Sequence, residues 1–107
     1  MSLVFDQILS QFTDYRSITS FWDDFTIADA FGDSAILDTY RRAFAEWKTD
    51  YKYLTELVMV LNHKIWQWYK KNEERAKLYD SLYCQANDYA LSHLKGEELS
   101  YFWDITD

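Results

Sequence analysis

Cys84, His63 and His93 are the only side chains among the 107 residues suited to thiol or imidazole chemistry. Nucleophilic catalysis would need one of them to meet a base and a group that orients it. No local motif assembles such a set. Cys84 stands between Tyr83 and Gln85 on an expected helix, where a lone cysteine reads as a small packing residue. His63 sits beside an apolar stripe, and His93 falls near an expected helix C-terminus, where the backbone dipole favours a cation.

A zinc centre needs about four ligands, and carboxylate-bridged metal bundles use a Glu-x-x-His spacing that the chain lacks. Gly32 and Gly96 stand alone, so no glycine-rich loop is available to cradle a phosphate. The carboxylate pairs Asp23-Asp24, Glu73-Glu74 and Glu97-Glu98 carry no motif that would single out a general acid, and read as solvated helix starts. The expectation is a protein that is not an enzyme and that has no metal and no cofactor.

The elements that would position any site are helical. The chain has no proline and two glycines, too little punctuation for a many-turned β protein. At 49% hydrophobic and 20% aromatic it can bury a core, and residues 1–107 read as a single helical domain. Val4, Ile8, Phe12 and Tyr15 predict a helix over 3–16. Ser20 is placed to cap a second helix, with Asp23 and Asp24 in its first turn and Phe21, Phe25 and Ala28 on one face.

Gly32 would end that helix, and Asp33 or Ser34 would start the next, striped by Ile36, Tyr40, Ala43, Phe44 and Trp47. From Thr49 or Asp50 an apolar register runs through Leu54, Val58, Leu61, Ile65 and Trp68, then through Ala76, Tyr79, Tyr83, Ala86 and Ala90. The polar run at 70–75 with Asn72 in the apolar slot favours a tight turn over one very long helix. Gly96 would close the second long helix, and "EELSYFW" would pack Phe102 and Trp103 back on the body. The fold class is all-α, a compact bundle of four to five helices with the last two long helices antiparallel.

Net charge is −7, unevenly spread. Asp23, Asp24, Asp29, Asp33 and Asp38 lie in a stretch, 20–40, with no lysine or arginine, and Glu97, Glu98, Asp104 and Asp107 lie in another. Lys64, Lys70, Lys71, Arg75 and Lys77 cluster against Glu73 and Glu74. Direct nucleic-acid binding is disfavoured, because it rests on neutralising phosphates with clustered cations. The acidic stretch instead nominates Asp23, Asp24, Asp29, Asp33 and Asp38 as a surface for a basic protein, or as a DNA mimic that blocks a nucleic-acid enzyme. Trp66 and Tyr69 fall off the inward register of Ile65 and Trp68, and are a second candidate contact for a protein partner or a homodimer.

The lone cysteine excludes an intrachain disulfide, and no apolar run is of membrane-spanning length. With no secretory leader pattern, a cytoplasmic location is expected.

The segments "RSITSFWDDFTIADAFG", "WKTDYKYLTELVMVLNHKIW" and "ALSHLKGEELSYFWDITD" resemble small uncharacterised proteins of gut bacteria found on conjugative elements and other mobile DNA. The resemblance covers Arg16 to Asp107. It brings no activity or catalytic residue, and implies an accessory role, regulating transfer or countering host defence. Together these readings give a small acidic protein-binding module, with a DNA mimic or a structural homo-oligomeric subunit as alternatives.

Overall fold

The computed structural model describes residues 18–106, which form five α-helices and, among the described residues, no strand. They are α1 (Ile18–Phe31), α2 (Asp33–Trp47), α3 (Tyr51–Trp68), α4 (Glu73–His93) and α5 (Glu97–Thr106). The helix expected over 3–16 lies outside the described residues.

Local chemistry sets most boundaries. Gly32 separates α1 from α2 at φ 117° and ψ −179°, a conformation that side chains strongly disfavour. Its N–H donates back to the Ala28 carbonyl at 3.0 Å, while its own carbonyl accepts from Ala35 and Ile36, both at 3.1 Å. Asp50 caps α3, its carboxylate accepting the N–H of Lys52 at 3.0 Å and of Tyr53 at 3.3 Å. Asn72 caps α4 by accepting the Arg75 N–H at 3.1 Å, so the chain breaks at the polar run as expected.

Two boundaries differ from the sequence reading. Helix α1 already includes Ile18, so Ser20 lies within the helix instead of capping it. Serine costs a helix interior only a fraction of a kilocalorie per mole, roughly 0.5, far less than the burial of Phe21 and Phe25 returns. Helix α4 ends at His93, and its C-cap Leu94 is extended. Gly96, at φ +60°, therefore leads directly into α5, whose Ser100 N–H donates to the Gly96 carbonyl at 3.0 Å.

One core joins all five helices: Phe21 and Phe25 from α1, Ile36 and Ala43 from α2, Leu54, Leu57 and Leu61 from α3, Tyr79 and Ala86 from α4, and Phe102 from α5. Phe25 and Tyr79 meet edge to face at 5.9 Å, a favourable geometry for aromatic rings. Helix α5 lies against α3, where Tyr51 and Tyr101 meet at 5.3 Å. Phe102 is fully buried, but Trp103 is 48% exposed, so only the first of these two aromatics packs inward. No described helix is long and apolar enough to cross a membrane.

Candidate protein-binding surfaces

The acidic stretch does not form one exposed face. Asp24 is 2% exposed, and the Asp29 side chain is 9% exposed. Both are corrections to their nomination as surface residues, and helical spacing explains them. Asp24 lies three residues after Phe21 and four before Ala28, and Asp29 lies four after Phe25, so both fall toward the stripe that enters the core.

Asp33 and Asp38 are surface residues already committed to cations. Asp33 accepts from Arg75 Nε at 3.0 Å across to α4, and Asp38 accepts from Arg42 Nη2 at 2.7 Å one turn along α2. Asp23 is exposed.

Asp29 is instead the centre of a largely shielded polar node. Its Oδ2 accepts from Lys64 Nζ at 2.8 Å and from Trp68 Nε1 at 3.2 Å, both on α3, while its Oδ1 accepts from the Tyr79 hydroxyl on α4 at 2.5 Å. Arg75 adds a hydrogen bond from Nη1 to the Asp29 backbone carbonyl at 3.0 Å, and its guanidinium lies over the Trp68 ring, 4.7 Å from the centroid.

Lys64 is 1% exposed and lies 5.3 Å from the Trp22 ring centroid, so its ammonium is held by a carboxylate and an aromatic face in place of water. Burial, then the hydrogen bond to Asp29, pushes the Tyr79 hydroxyl far above the ordinary tyrosine range, which keeps it a neutral donor. The node fastens α1 to α3 and α4. Lys64, Trp68, Arg75 and Tyr79 escaped nomination, although Lys64 stands three residues after Leu61 and seven after Leu57, on the buried stripe of α3.

Burial of Lys64 and commitment of Arg75 also redraw the basic cluster, leaving Lys70, Lys71 and Lys77 as its exposed cations. Beside them lies the aromatic pair. Trp66 is 68% exposed and Tyr69 56%, with ring centroids 5.7 Å apart.

Tyr69 also lines a cleft of about 250 Å³ between Ile65 of α3 and Ala76, Lys77 and Asp80 of α4. Further along the same seam a cleft of about 200 Å³ opens between Met59, Asn62 and His63 of α3, Tyr83 of α4 and Ile105 of α5. Met59, Asn62, Trp66 and Tyr69 recur at three- and four-residue intervals, so one side of α3 borders both clefts.

Cys84 is exposed, a correction to its reading as a packing residue, and does not line the cleft that contains His63. Desolvation, then the charges of Asp80 and Asp88, raises its thiol pKa and disfavours the thiolate. His93 is engaged locally, its Nδ1–H donating to the Tyr89 carbonyl at 2.9 Å and its ring stacked on Tyr89 at 3.8 Å. Among the described residues no group of three or more His, Cys, Asp or Glu is placed to hold a metal ion. No family model, curated protein or solved structure matches the chain.

Proposed function

We propose that this chain is a small, non-enzymatic protein-binding module whose contact surface is the aromatic seam around Trp66 and Tyr69. In this reading the described helices are a compact bundle, with α3 and α4 as an antiparallel pair carrying the seam. The supporting observation is the exposure of two large aromatic side chains in mutual contact at the edge of a cleft. Tryptophan and tyrosine in such settings anchor protein interfaces, because a partner that covers them removes a large apolar area from water. We place the protein in the cytoplasm, as an accessory protein of a mobile element.

The acidic stretch supports less. A DNA mimic needs its carboxylates arrayed on one face, whereas Asp24 is buried, the Asp29 side chain is 9% exposed and turned to Lys64, and Asp33 and Asp38 are paired with arginine. A Cys84–histidine enzyme is likewise disfavoured by a thiol of raised pKa outside the His63 cleft.

Capture from the native host lysate with three baits tests the choice of face. A partner retained by the wild type and by D23K/D38K but lost with W66A/Y69A is the expected result. Loss with D23K/D38K and retention with W66A/Y69A would return the binding surface to the acidic stretch.

A further inference from the structure

Residues 1–17 precede α1, and the way α1 lies on α3 sets where they join the bundle. Trp22 meets His63 with ring centroids 5.6 Å apart, and further along both helices Asp29 accepts from Trp68 Nε1 at 3.2 Å. Helices α1 and α3 therefore run in the same direction. One turn back from Trp22 is Ile18, the first residue of α1, and one turn back from His63 is Met59. Followed toward the N-terminus, the chain is led along the first turns of α3, where Tyr53 and Glu56 stand.

That corner has both an apolar and a charged part. The Trp47 ring, at the end of α2, and the Tyr53 ring meet edge to face at 4.5 Å, and both side chains are half-buried at the margin of the core. Three residues beyond Tyr53, on the same side of α3, Glu56 is half-buried with its Oε2 atom inside. A carboxylate oxygen in such a place is stable when a donor or a cation is held close to it.

The preceding segment has the complementary residues. Val4, Ile8, Phe12 and Tyr15 recur at helical spacing, and a helix over 3–16 is marginal in water unless its apolar side is covered. Arg16 is the only lysine or arginine among residues 1–40, and it stands two residues ahead of α1. Because the segment is tethered at Ile18, it meets the corner at an effective concentration in the millimolar range, which favours it over a free partner.

We propose that residues 1–17 are the occupant of the Trp47–Tyr53 corner, with Phe12 and Tyr15 covering the two rings and Arg16 paired with Glu56. This stands apart from the reading of the aromatic seam. From Glu56 to Trp66 α3 advances about 15 Å at 1.5 Å per residue, so the segment lies toward the opposite end of α3 and leaves Trp66 and Tyr69 to a partner.

Paramagnetic relaxation in the full chain tests the placement, with a nitroxide at Ser10→Cys in a C84S background. The expected result is loss of the Trp47, Tyr53 and Glu56 amide signals, with those of Asn72 and Lys77 retained. Spin-labelled chain mixed with isotope-enriched, unlabelled chain should cause no such loss. The charge pair is tested by thermal melting: R16E and E56R should each lower the melting temperature by a few degrees, and R16E/E56R should recover much of it.

Signal loss centred elsewhere, including the Met59–Ile105 cleft, overturns the proposal, as does the absence of any localised loss. Loss in the mixed sample makes a second copy the occupant and overturns it too. A double reversal no more stable than the worse single variant removes the Arg16–Glu56 pair. None of these outcomes bears on capture through Trp66 and Tyr69, so the two readings fail separately.

Discussion

Asp29 and Lys64 show what a charged side chain costs and contributes once it enters a helical core. Their pair is 2.8 Å long and almost wholly shielded from water, and Trp68 and Tyr79 supply the further hydrogen bonds that a desolvated carboxylate needs. Removing one partner leaves the other charge buried and unpaired, so Lys64→Met should lower unfolding stability by about 3–5 kcal/mol. The double variant D29L/K64M should lose much less than the two single losses added together, measured by urea unfolding. Tyr40 behaves differently: it is 3% exposed, and its hydroxyl has no hydrogen-bond partner among the described residues.

Burial pushes the Tyr40 pKa up to about 12, above the usual value near 10. Between those values the unfolded chain has released the proton while the folded chain retains it. The stabilising contribution is therefore complete below pH 10 and is lost as pH rises toward 12, by about 2–3 kcal/mol. Tyr40→Phe should be neutral or stabilising at pH 7 and should flatten the alkaline decline in melting temperature.

The inward position of these polar residues was legible in their spacing from Phe21, Phe25 and Leu61. Charge alone directed attention to the surface. Which cation would meet Asp29 was not legible, because Lys64 is 35 residues away and only the packing of α1 on α3 brings them together.

At the scale of the elements, short-range chemistry carries the boundaries. Asp50 and Asn72 each accept backbone N–H groups that would otherwise be unsatisfied, and Gly32 supplies a conformation closed to other residues. Asn72→Ala should cost about 1 kcal/mol of stability, read from the denaturation midpoint. Gly32→Ala should cost about 1–3 kcal/mol through backbone strain, since an added Cβ would meet no atom within 4 Å and sterics cannot account for any loss.

The break at Asn72 could be read from the polar run because a capping side chain and its backbone partner are neighbours in sequence. The C-terminal end of α4 could not be placed from Gly96 alone. That glycine suits the left-handed conformation wherever it falls, and the sequence did not say whether it would close α4 or lead into α5.

Across the whole molecule, what remains exposed after packing differs from what composition emphasised. Of the five aspartates of 20–40, Asp24 and Asp29 turn inward, Asp33 and Asp38 pair with arginines and Asp23 alone of the five is exposed outside such a pair, whereas the most exposed large aromatics include Trp66 and Tyr69 beside the α3–α4 cleft. The off-register position of those two residues was visible in the helical periodicity of α3. The clefts that border them were not, because they arise only where α4 and α5 lie against α3. Since neither Trp66 nor Tyr69 belongs to the buried core, W66A/Y69A should leave the melting temperature within a few degrees of the wild type, while removing binding.

The most direct measurement is site-specific photo-crosslinking in the native host, with a photoreactive residue placed at position 66 in one experiment and at position 23 in another. A binding surface on the aromatic seam predicts discrete adducts from position 66, to a second copy or to another protein, and none from position 23. Adducts from position 23 with none from position 66 would contradict it and restore the acidic stretch as the surface that meets a partner.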